Sequence, residues 1–192
     1  MSSHHLASEI RARAARADLD RPFVIALDGR SGVGKSTLAR GLVEPLGAAL
    51  VEGDDFFAGG VSVRDDGPRE RAGACIDWRR QRAVLAALRS GRPARWRRFD
   101  WSAFDGSLES DDTLCDPAPY VVLEGVYSAR PELADLLDLR IVLVVSDELR
   151  RRRLLEREGT IGPWERQWHE AEDYYFEHIA PPSSFDLVLD GA

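Results

Sequence analysis

The sequence predicts an α/β fold in which helices flank a five-stranded parallel sheet. Five short apolar segments, rich in β-branched residues, alternate along the chain with segments of helical periodicity. Several of the apolar segments are continuous rather than alternating, which is typical of parallel strands that helices cover on both faces. A chain of 192 residues has the length of one domain. We therefore expect a single domain with right-handed crossovers between its strands.

Each element of this fold is assigned to a segment of the chain. Strands are predicted for residues 23–27, 48–51, 120–123, 141–145 and 186–189. Helices are predicted for residues 35–46, 78–90, 131–137, 148–158 and 164–179. Residues 1–20 are rich in Arg and Ala and predict a solvated helical extension that precedes a domain at 21–192. The long irregular segments at about 59–76 and 92–118 are typical of substrate loops, and we expect a lid at about 147–163.

Composition and charge limit the classes of function. The net charge of -7 argues against nucleic-acid binding, although 25 of the 26 basic residues are arginines. No apolar run reaches the roughly 18 residues that cross a bilayer, so no membrane partner is expected. The two cysteines, Cys75 and Cys115, have neither metal-ligand spacing nor the pattern of a disulfide framework. We expect a reduced cytoplasmic protein, and whether it forms a homo-oligomer stays open.

A phosphate-binding loop follows the first predicted strand and precedes the helix at 35–46. The pattern Gly-x-x-x-x-Gly-Lys-Ser runs from Gly29 to Ser36. Its glycines let backbone N–H groups face phosphate oxygens, and the helix adds the positive end of its dipole. Lys35, the only lysine in the chain, is expected to reach the β- and γ-phosphates, and the Ser36 hydroxyl to bind Mg²⁺. The motif predicts the P-loop NTPase fold with ATP and Mg²⁺ as cofactors, and its other nucleotide-binding residues are Ser31, Gly32, Val33, Gly34 and Thr37.

Carboxylates follow two of the predicted strands. Glu124 ends the strand at 120–123, at the sheet edge where ligands of open α/β folds bind, and is placed to hold Mg²⁺ directly or through water. Asp54 and Asp55 follow the strand at 48–51. Either of these two carboxylates is suited to accept the proton of an attacking hydroxyl, and the alternative for both is a turn or a helix N-cap.

These motifs resemble those of the uridine kinase family of P-loop kinases, with the related nicotinamide riboside kinases and phosphoribulokinases. The resemblance extends over about residues 22–190. The run Asp-Asp-Phe-Phe from Asp54 to Phe57 is similar to the family's Asp-x-Phe-aromatic element, whose first Asp is the general base. This resemblance implies that Asp54 is the base and also contacts the metal. The Glu-Gly pair that begins at Glu124 is similar to the family's metal-associated Glu-Gly.

Arginines at spacings of three and four form the predicted arginine lid. Arg150, Arg153 and Arg157, followed by the acidic Glu158, reproduce the family's Arg-x-x-Arg-x-x-x-Arg-acidic pattern. Such spacing puts the three arginines on one face of a helix. That face is suited to bind transferring phosphates and the charge of the transition state, and the alternative is a solvated basic face. The resemblance implies that Arg150 binds the nucleotide and that Arg153 and Arg157 are catalytic.

The residues expected around the acceptor match the family less completely. Asp77 resembles the acidic residue that holds sugar hydroxyls, and its alternative is an N-cap for the helix that follows. The Phe-Asp-Trp segment at 99–101 resembles the family's Tyr-Asp-Phe, but uridine kinases place a tyrosine where Phe99 stands and a histidine near Phe104. Without those polar groups, the site is not expected to discriminate a pyrimidine by hydrogen bonding. The expected acceptor residues are Asp55, Phe57, Asp77, Phe99, Asp100 and Phe104.

Together these patterns predict a kinase that transfers the γ-phosphate of ATP to a hydroxyl of a nucleoside or nucleoside-like acceptor. One alternative keeps the reaction and changes the acceptor to a non-pyrimidine compound, such as a specialised metabolite, an antibiotic or a vitamin precursor. A P-loop ATPase without an acceptor is a further alternative. A GTP-dependent switch is excluded, because its Asn-Lys-x-Asp element needs a lysine and the only one, Lys35, lies in the phosphate loop.

Overall fold

A parallel five-stranded sheet forms the centre of the molecule. The computed structural model describes residues 2–191. Their strands are β1 (Phe23–Asp28), β2 (Ala48–Glu52), β3 (Ala94–Phe99), β4 (Leu108–Cys115), β5 (Tyr120–Glu124), β6 (Leu139–Val144) and β7 (Leu187–Asp190). The central sheet has the order β2-β5-β1-β6-β7, and each adjacent pair is parallel. The α/β class and the five parallel strands predicted from the sequence are thereby confirmed.

The helices lie between these strands and before them. They are α1 (Ser3–Ala17), α2 (Lys35–Leu46), α3 (Pro68–Ala74), α4 (Trp78–Arg89), α5 (Asp147–Glu158) and α6 (Pro163–Tyr174). Short 3₁₀ helices cover Gly53–Phe56, Pro131–Leu136 and Pro182–Ser184, and one π-helical turn covers Tyr175–Ile179. The helix predicted at 131–137 is therefore a 3₁₀ helix. Within residues 2–191, no helix is both long enough and apolar enough to cross a bilayer.

Helices cover both faces of the sheet. All six residues of β1 are buried. Ile25 and Leu27 belong to an apolar core that includes residues of α1 and α2, whereas Val24 belongs to a second core with residues of α4 and α6. Because both faces of the strand are buried, its sequence is a continuous apolar run instead of an alternating one.

Helix α1 belongs to the core, which corrects the expectation of a solvated extension. Leu6, Ala7 and Ile10 are fully buried, and α1 packs against α2. These three residues form one narrow apolar stripe in a segment that is otherwise rich in arginine and alanine. A stripe of this kind is sufficient to bury one face of a helix while its other faces stay in water.

The two segments expected to be irregular substrate loops contain regular structure. Residues 92–118 include the antiparallel hairpin formed by β3 and β4. In β3, arginines alternate with the buried Ala94 and Trp96, and this period of two is typical of a half-buried strand. Residues 59–76 include the short helix α3, which packs against α6. The sequence prediction of irregular loops was therefore wrong for large parts of both segments.

Candidate active site

The phosphate loop joins β1 to α2 at the carboxyl edge of the sheet. Gly29 has a φ of 144°, and a Cβ at this position would lie 2.5 Å from the carbonyl oxygen of Leu143. Only glycine fits this conformation and this close approach. The loop ends at Gly34, the N-cap of α2, so residues 35–37 form the first turn of that helix. The positive end of the α2 dipole therefore points at the space enclosed by the loop, as anion binding requires.

Lys35 and Glu124 place one positive and one negative charge beside the loop. The Lys35 side chain is buried, and its Nζ donates to the carbonyl oxygen of Arg30 at 3.1 Å. Glu124 is buried at the end of β5, near the Ser36 hydroxyl. Burial raises the pKa of Glu124 to about 7, Lys35 opposes this rise, and the negative charge of Asp54 adds to it.

The oxygens of Ser36 and Glu124 fit a magnesium ion. Mg²⁺ prefers hard oxygen ligands and is usually held by one or two protein groups together with phosphate oxygens and water. A buried carboxylate with a raised pKa regains electrostatic stabilisation when a cation binds next to it. In the described part of the chain, no three His, Cys, Asp or Glu side chains are grouped in a way that could hold a metal ion.

The structure gives Asp54 and Asp55 different surroundings. Asp54 is exposed and lines a cavity beside the phosphate loop. Asp55 is buried, and its Oδ2 accepts a hydrogen bond from Trp96 Nε1 at 2.7 Å. Burial raises the pKa of Asp55 to about 6, and the Trp96 hydrogen bond opposes this rise. Asp55 therefore ties the 3₁₀ helix to the β3–β4 hairpin, whereas Asp54 is accessible to a bound acceptor.

Helix α5, the expected lid, packs directly on the phosphate loop. A Cβ on Gly32 would lie 3.0 Å from Leu154 Cγ and 3.1 Å from the carbonyl oxygen of Arg150. Arg153 Nη1 donates to the carbonyl oxygen of Val33 at 3.2 Å. Backbone and side-chain contacts together therefore hold α5 against the loop.

The three arginines of α5 take different positions. Arg153 contacts the loop, and Arg157 lines the cavity beside it, where it pairs with Glu158 at 2.7 Å. Arg150 is buried and pairs with Asp147 at 3.5 Å. It lines a separate cavity of about 30 Å³ between the phosphate loop and the end of β6. The structure thus places Arg157 at the cavity, Arg153 on the backbone of the phosphate loop, and Arg150 in a small cavity on another side of that loop.

The cavity beside the loop has a volume of about 480 Å³. Ser31 of the phosphate loop, Asp54 after β2 and Arg157 of α5 all line it. Aromatic side chains from several parts of the chain form much of its wall. Five of them belong to one cluster, Phe57, Phe99, Trp101, Trp164 and Trp168, and Tyr127 also lines the cavity. The cavity therefore opens directly beside the phosphate loop.

Three residues expected around the acceptor do not line this cavity. The Asp77 carboxylate caps α4 by accepting the backbone N–H of Arg80 at 3.2 Å, which is the alternative that the sequence left open. Asp100 Oδ1 accepts the backbone N–H groups of the two residues at 102 and 103, and so closes the turn between β3 and β4. Phe104 packs against Trp101 and Trp164 outside the lining of the cavity. The two carboxylates thus accept hydrogen bonds from local backbone groups, and Phe104 packs against neighbouring rings.

Two buried carboxylates near the loop were missed by the sequence prediction. Asp28 accepts hydrogen bonds from the backbone N–H groups of Gly29, Tyr127 and Ala129 and from the hydroxyl of Tyr175. Asp28 is the last residue of β1, just as Glu124 is the last residue of β5. The sequence could therefore have indicated Asp28 by the same reasoning. Glu172 binds Ser31 from α6. No sequence pattern indicates that contact, because it depends on how α6 packs.

Comparison with known proteins identifies the family. The model of the phosphoribulokinase / uridine kinase family matches residues 24–161. The uridine kinase of Deinococcus deserti is 29% identical over 174 residues, which cover 84% of this chain and 79% of the relative. The uridine kinase of Halobacterium salinarum is 27% identical over 168 residues, with 83% and 72% covered.

A solved structure shows the same fold. A possible uridine kinase from Bacillus stearothermophilus superposes with a TM-score of 0.68 at 20% identity, covering 95% of this chain and 100% of that structure. The family match is independent of this superposition and extends over more than half of the chain. The protein therefore belongs to the phosphoribulokinase and uridine kinase family of P-loop kinases.

Proposed function

We propose that the protein transfers the γ-phosphate of ATP, with Mg²⁺, to a hydroxyl group of a small acceptor. The observation that supports this most directly is the composition of one cavity wall. Ser31 of the phosphate loop, the exposed Asp54 and Arg157 of the lid all line the same cavity. A nucleotide in the loop and an acceptor in the cavity would therefore meet between a carboxylate base and an arginine.

Each group has a defined part in the transfer. The acceptor oxygen forms a bond to the γ-phosphorus while the bond from that phosphorus to the β,γ-bridging oxygen breaks, and ADP leaves. Asp54 accepts the proton of the acceptor hydroxyl. Lys35 and Arg153, which contact the loop backbone, supply positive charge where negative charge develops on the phosphoryl oxygens. Positioning and charge stabilisation are nearly all that phosphoryl transfer requires of a protein.

Ser36 and Glu124 are the residues that would hold Mg²⁺. When bound, the ion would neutralise charge on the β- and γ-phosphate oxygens. Backbone N–H groups at the start of α2 would supply the other contacts to the phosphate oxygens.

The acceptor that the family resemblance implies is a nucleoside or nucleoside-like alcohol, because the two curated relatives are named uridine kinases. A second candidate is a non-pyrimidine alcohol. It is favoured by the cavity wall, where Phe99 replaces the expected tyrosine and no side-chain amide is among the lining residues. A pyrimidine would then lack the tyrosine hydroxyl that the family resemblance implies at position 99.

An acceptor screen tests the proposal. Release of ADP from Mg·ATP is measured with uridine, cytidine, nicotinamide riboside and a set of sugars and amino alcohols. We expect at least one acceptor to raise ADP release well above the rate without acceptor. ATP hydrolysis that no acceptor accelerates would contradict the proposal and support an ATPase. Efficient turnover of uridine would defeat the non-pyrimidine candidate while leaving the kinase proposal intact.

A further inference from the structure

We propose that the acceptor carries a cationic nitrogen, such as an ammonium or quaternary ammonium group, in addition to its hydroxyl. This inference rests on the proposed kinase function, because it names the class of acceptor that the same cavity would bind. Two properties of the cavity support it: a wall of aromatic rings and a large excess of carboxylates over arginines.

The aromatic wall is assembled around Phe57. Its ring centroid lies 5.0 Å from those of Phe99 and Trp101, 5.6 Å from that of Trp168 and 6.0 Å from that of Trp164. Phe57 directly follows the 3₁₀ helix after β2, and the other four rings come from the hairpin, its turn and α6. Phe57, Phe99 and Trp168 are almost fully buried, so Trp101 and Trp164 present most of the accessible aromatic surface. Aromatic faces attract cations through the ring quadrupole, tryptophan most strongly, and grouped aromatic rings are a known device for binding quaternary ammonium groups.

The charged residues that line the cavity also favour a cation. Seven carboxylates line it, against two arginines and one histidine, His169. Each arginine is paired with a carboxylate of the same wall: Arg98 with Glu109 at 2.9 Å and Arg157 with Glu158 at 2.7 Å. The carboxylates outside these two pairs are Glu52, Asp54, Asp55, Glu165 and Glu172.

Most of this negative charge stays uncompensated inside the cavity. Glu52 pairs with Arg40, which is outside the lining. Asp55 and Glu172 accept hydrogen bonds from neutral donors of Trp96 and Ser31, and such bonds orient a carboxylate without cancelling its charge. Negative charges in a partly enclosed cavity with low-dielectric aromatic walls attract a cation more strongly than they would in bulk water.

Other acceptor classes fit this wall less well. An anionic acceptor, such as an organic acid or a sugar phosphate, would meet like charges and no arginine that is free of a carboxylate partner within the lining. A neutral polyol could donate hydrogen bonds to the carboxylates, but it would leave their charge excess unbalanced. A cationic alcohol satisfies both features, since its nitrogen can face the rings and carboxylates while its hydroxyl reaches Asp54.

A binding experiment with matched probes tests the charge preference directly. Isothermal titration calorimetry compares choline with its neutral carbon isostere, 3,3-dimethylbutan-1-ol, and with the anion D-glycerate. We expect choline to bind about tenfold or more tightly than the isostere, and D-glycerate to bind more weakly than either. Equal or tighter binding of the isostere or of D-glycerate overturns the inference.

Variants locate the site of this preference. Trp164→Leu removes one ring of the wall, and Glu165→Gln removes one charge while its amide oxygen still accepts the backbone N–H of Gly162. Trp78→Leu and Glu148→Gln are the matched controls, because neither residue lines the cavity. We expect each cavity variant to lose most of the choline preference and each control to retain it. An unchanged preference in both cavity variants contradicts the inference.

Turnover separates this inference from the proposed kinase function. Phosphorylation of glucosamine is compared with that of N-acetylglucosamine, which has the same ring but no cationic nitrogen. A kcat/KM that is about tenfold or more higher for glucosamine supports the inference. Comparable or better turnover of the neutral sugar overturns it and leaves the kinase proposal standing. If neither sugar accelerates ADP release, the acceptor screen described above decides the kinase proposal, and the choline-to-isostere ratio still decides whether the cavity prefers cations.

Discussion

Glu172 of α6 accepts hydrogen bonds from both the backbone N–H and the hydroxyl of Ser31, at 3.0 Å and 2.5 Å. The Glu172 side chain is almost fully buried, and it also lines the cavity expected to hold the acceptor. One carboxylate of α6 therefore fixes the phosphate loop and contributes to the acceptor cavity. Because the contact joins distant parts of the chain, the packing of α6 sets the conformation of the loop.

Removal of this carboxylate should loosen the loop. We expect Glu172→Ala to lower the free energy of unfolding by about 1–3 kcal/mol and to raise the KM for ATP, because two partly buried donors of Ser31 lose their acceptor. Chemical denaturation and steady-state kinetics measure the two effects. The control is Glu170→Ala on the same helix, where an exposed side chain pairs with Arg71. This change should cost less than about 1 kcal/mol. Equal effects of both variants would contradict the assigned role.

Asp54 and Asp55 should differ in catalysis. Asp54→Asn should lower kcat by about 10²-fold or more, because the acceptor hydroxyl loses its base. Asp55→Asn keeps an oxygen that can accept the Trp96 hydrogen bond and should change kcat much less. Steady-state kinetics with a saturating acceptor measures both values. A larger loss in Asp55→Asn would move the base to Asp55.

Arg153 should act on the transition state more than on acceptor binding. Arg153→Ala should lower kcat by about 10²-fold, with a smaller change in acceptor KM, because its charge is needed most where the phosphoryl oxygens gain negative charge. Arg151→Ala is the matched control, since Arg151 is exposed on the same helix. A similar loss in the two variants, or a loss confined to KM, would show that Arg153 has no special position at the loop.

Asp28 should make stability depend on pH in an unusual direction. Burial raises the pKa of Asp28 to about 6 from an ordinary value of 3.8, despite hydrogen bonds from Ala129, Gly29 and Tyr175. The folded state therefore favours the protonated carboxyl. The resulting stabilisation is fully present below about pH 4 and is lost as pH rises through about 6.

The variant Asp28→Asn isolates this effect, because asparagine does not titrate. The stability advantage of the wild type over Asp28→Asn should shrink by about 2 kcal/mol between about pH 4 and pH 7. Urea denaturation at several pH values measures it. An advantage that stays constant or grows with pH would mean that the folded state prefers the charged carboxylate.

The fold was largely predictable because its signals are local. Continuous apolar runs indicate strands that are covered on both sides, and the pattern from Gly29 to Ser36 has one arrangement between a strand and a helix. The β3–β4 hairpin was missed because its charged residues mask the alternation around Trp96. The docking of α1 was missed because only a narrow stripe of it is buried.

The site was predictable where it lies at strand ends and less so elsewhere. Glu124 and Asp54 lie near each other, as expected, because the carboxyl ends of parallel strands meet at one edge of the sheet. Asp77 and Asp100 are both carboxylates that accept hydrogen bonds from nearby backbone N–H groups, and the sequence had left this alternative open for Asp77. The excess of carboxylates in the cavity could not be predicted, because its members come from segments as distant in sequence as Glu52 and Glu172.

The most direct test of the central claim is a phosphorus mass balance. ³¹P NMR follows Mg·ATP with an accepted alcohol in the wild type and in Lys35→Ala, whose fold is checked by circular dichroism. The account predicts one phosphomonoester for each ADP formed in the wild type, and a loss of about 10²-fold or more in Lys35→Ala. ADP accompanied by inorganic phosphate instead of a phosphomonoester, or undiminished turnover in Lys35→Ala, would contradict it.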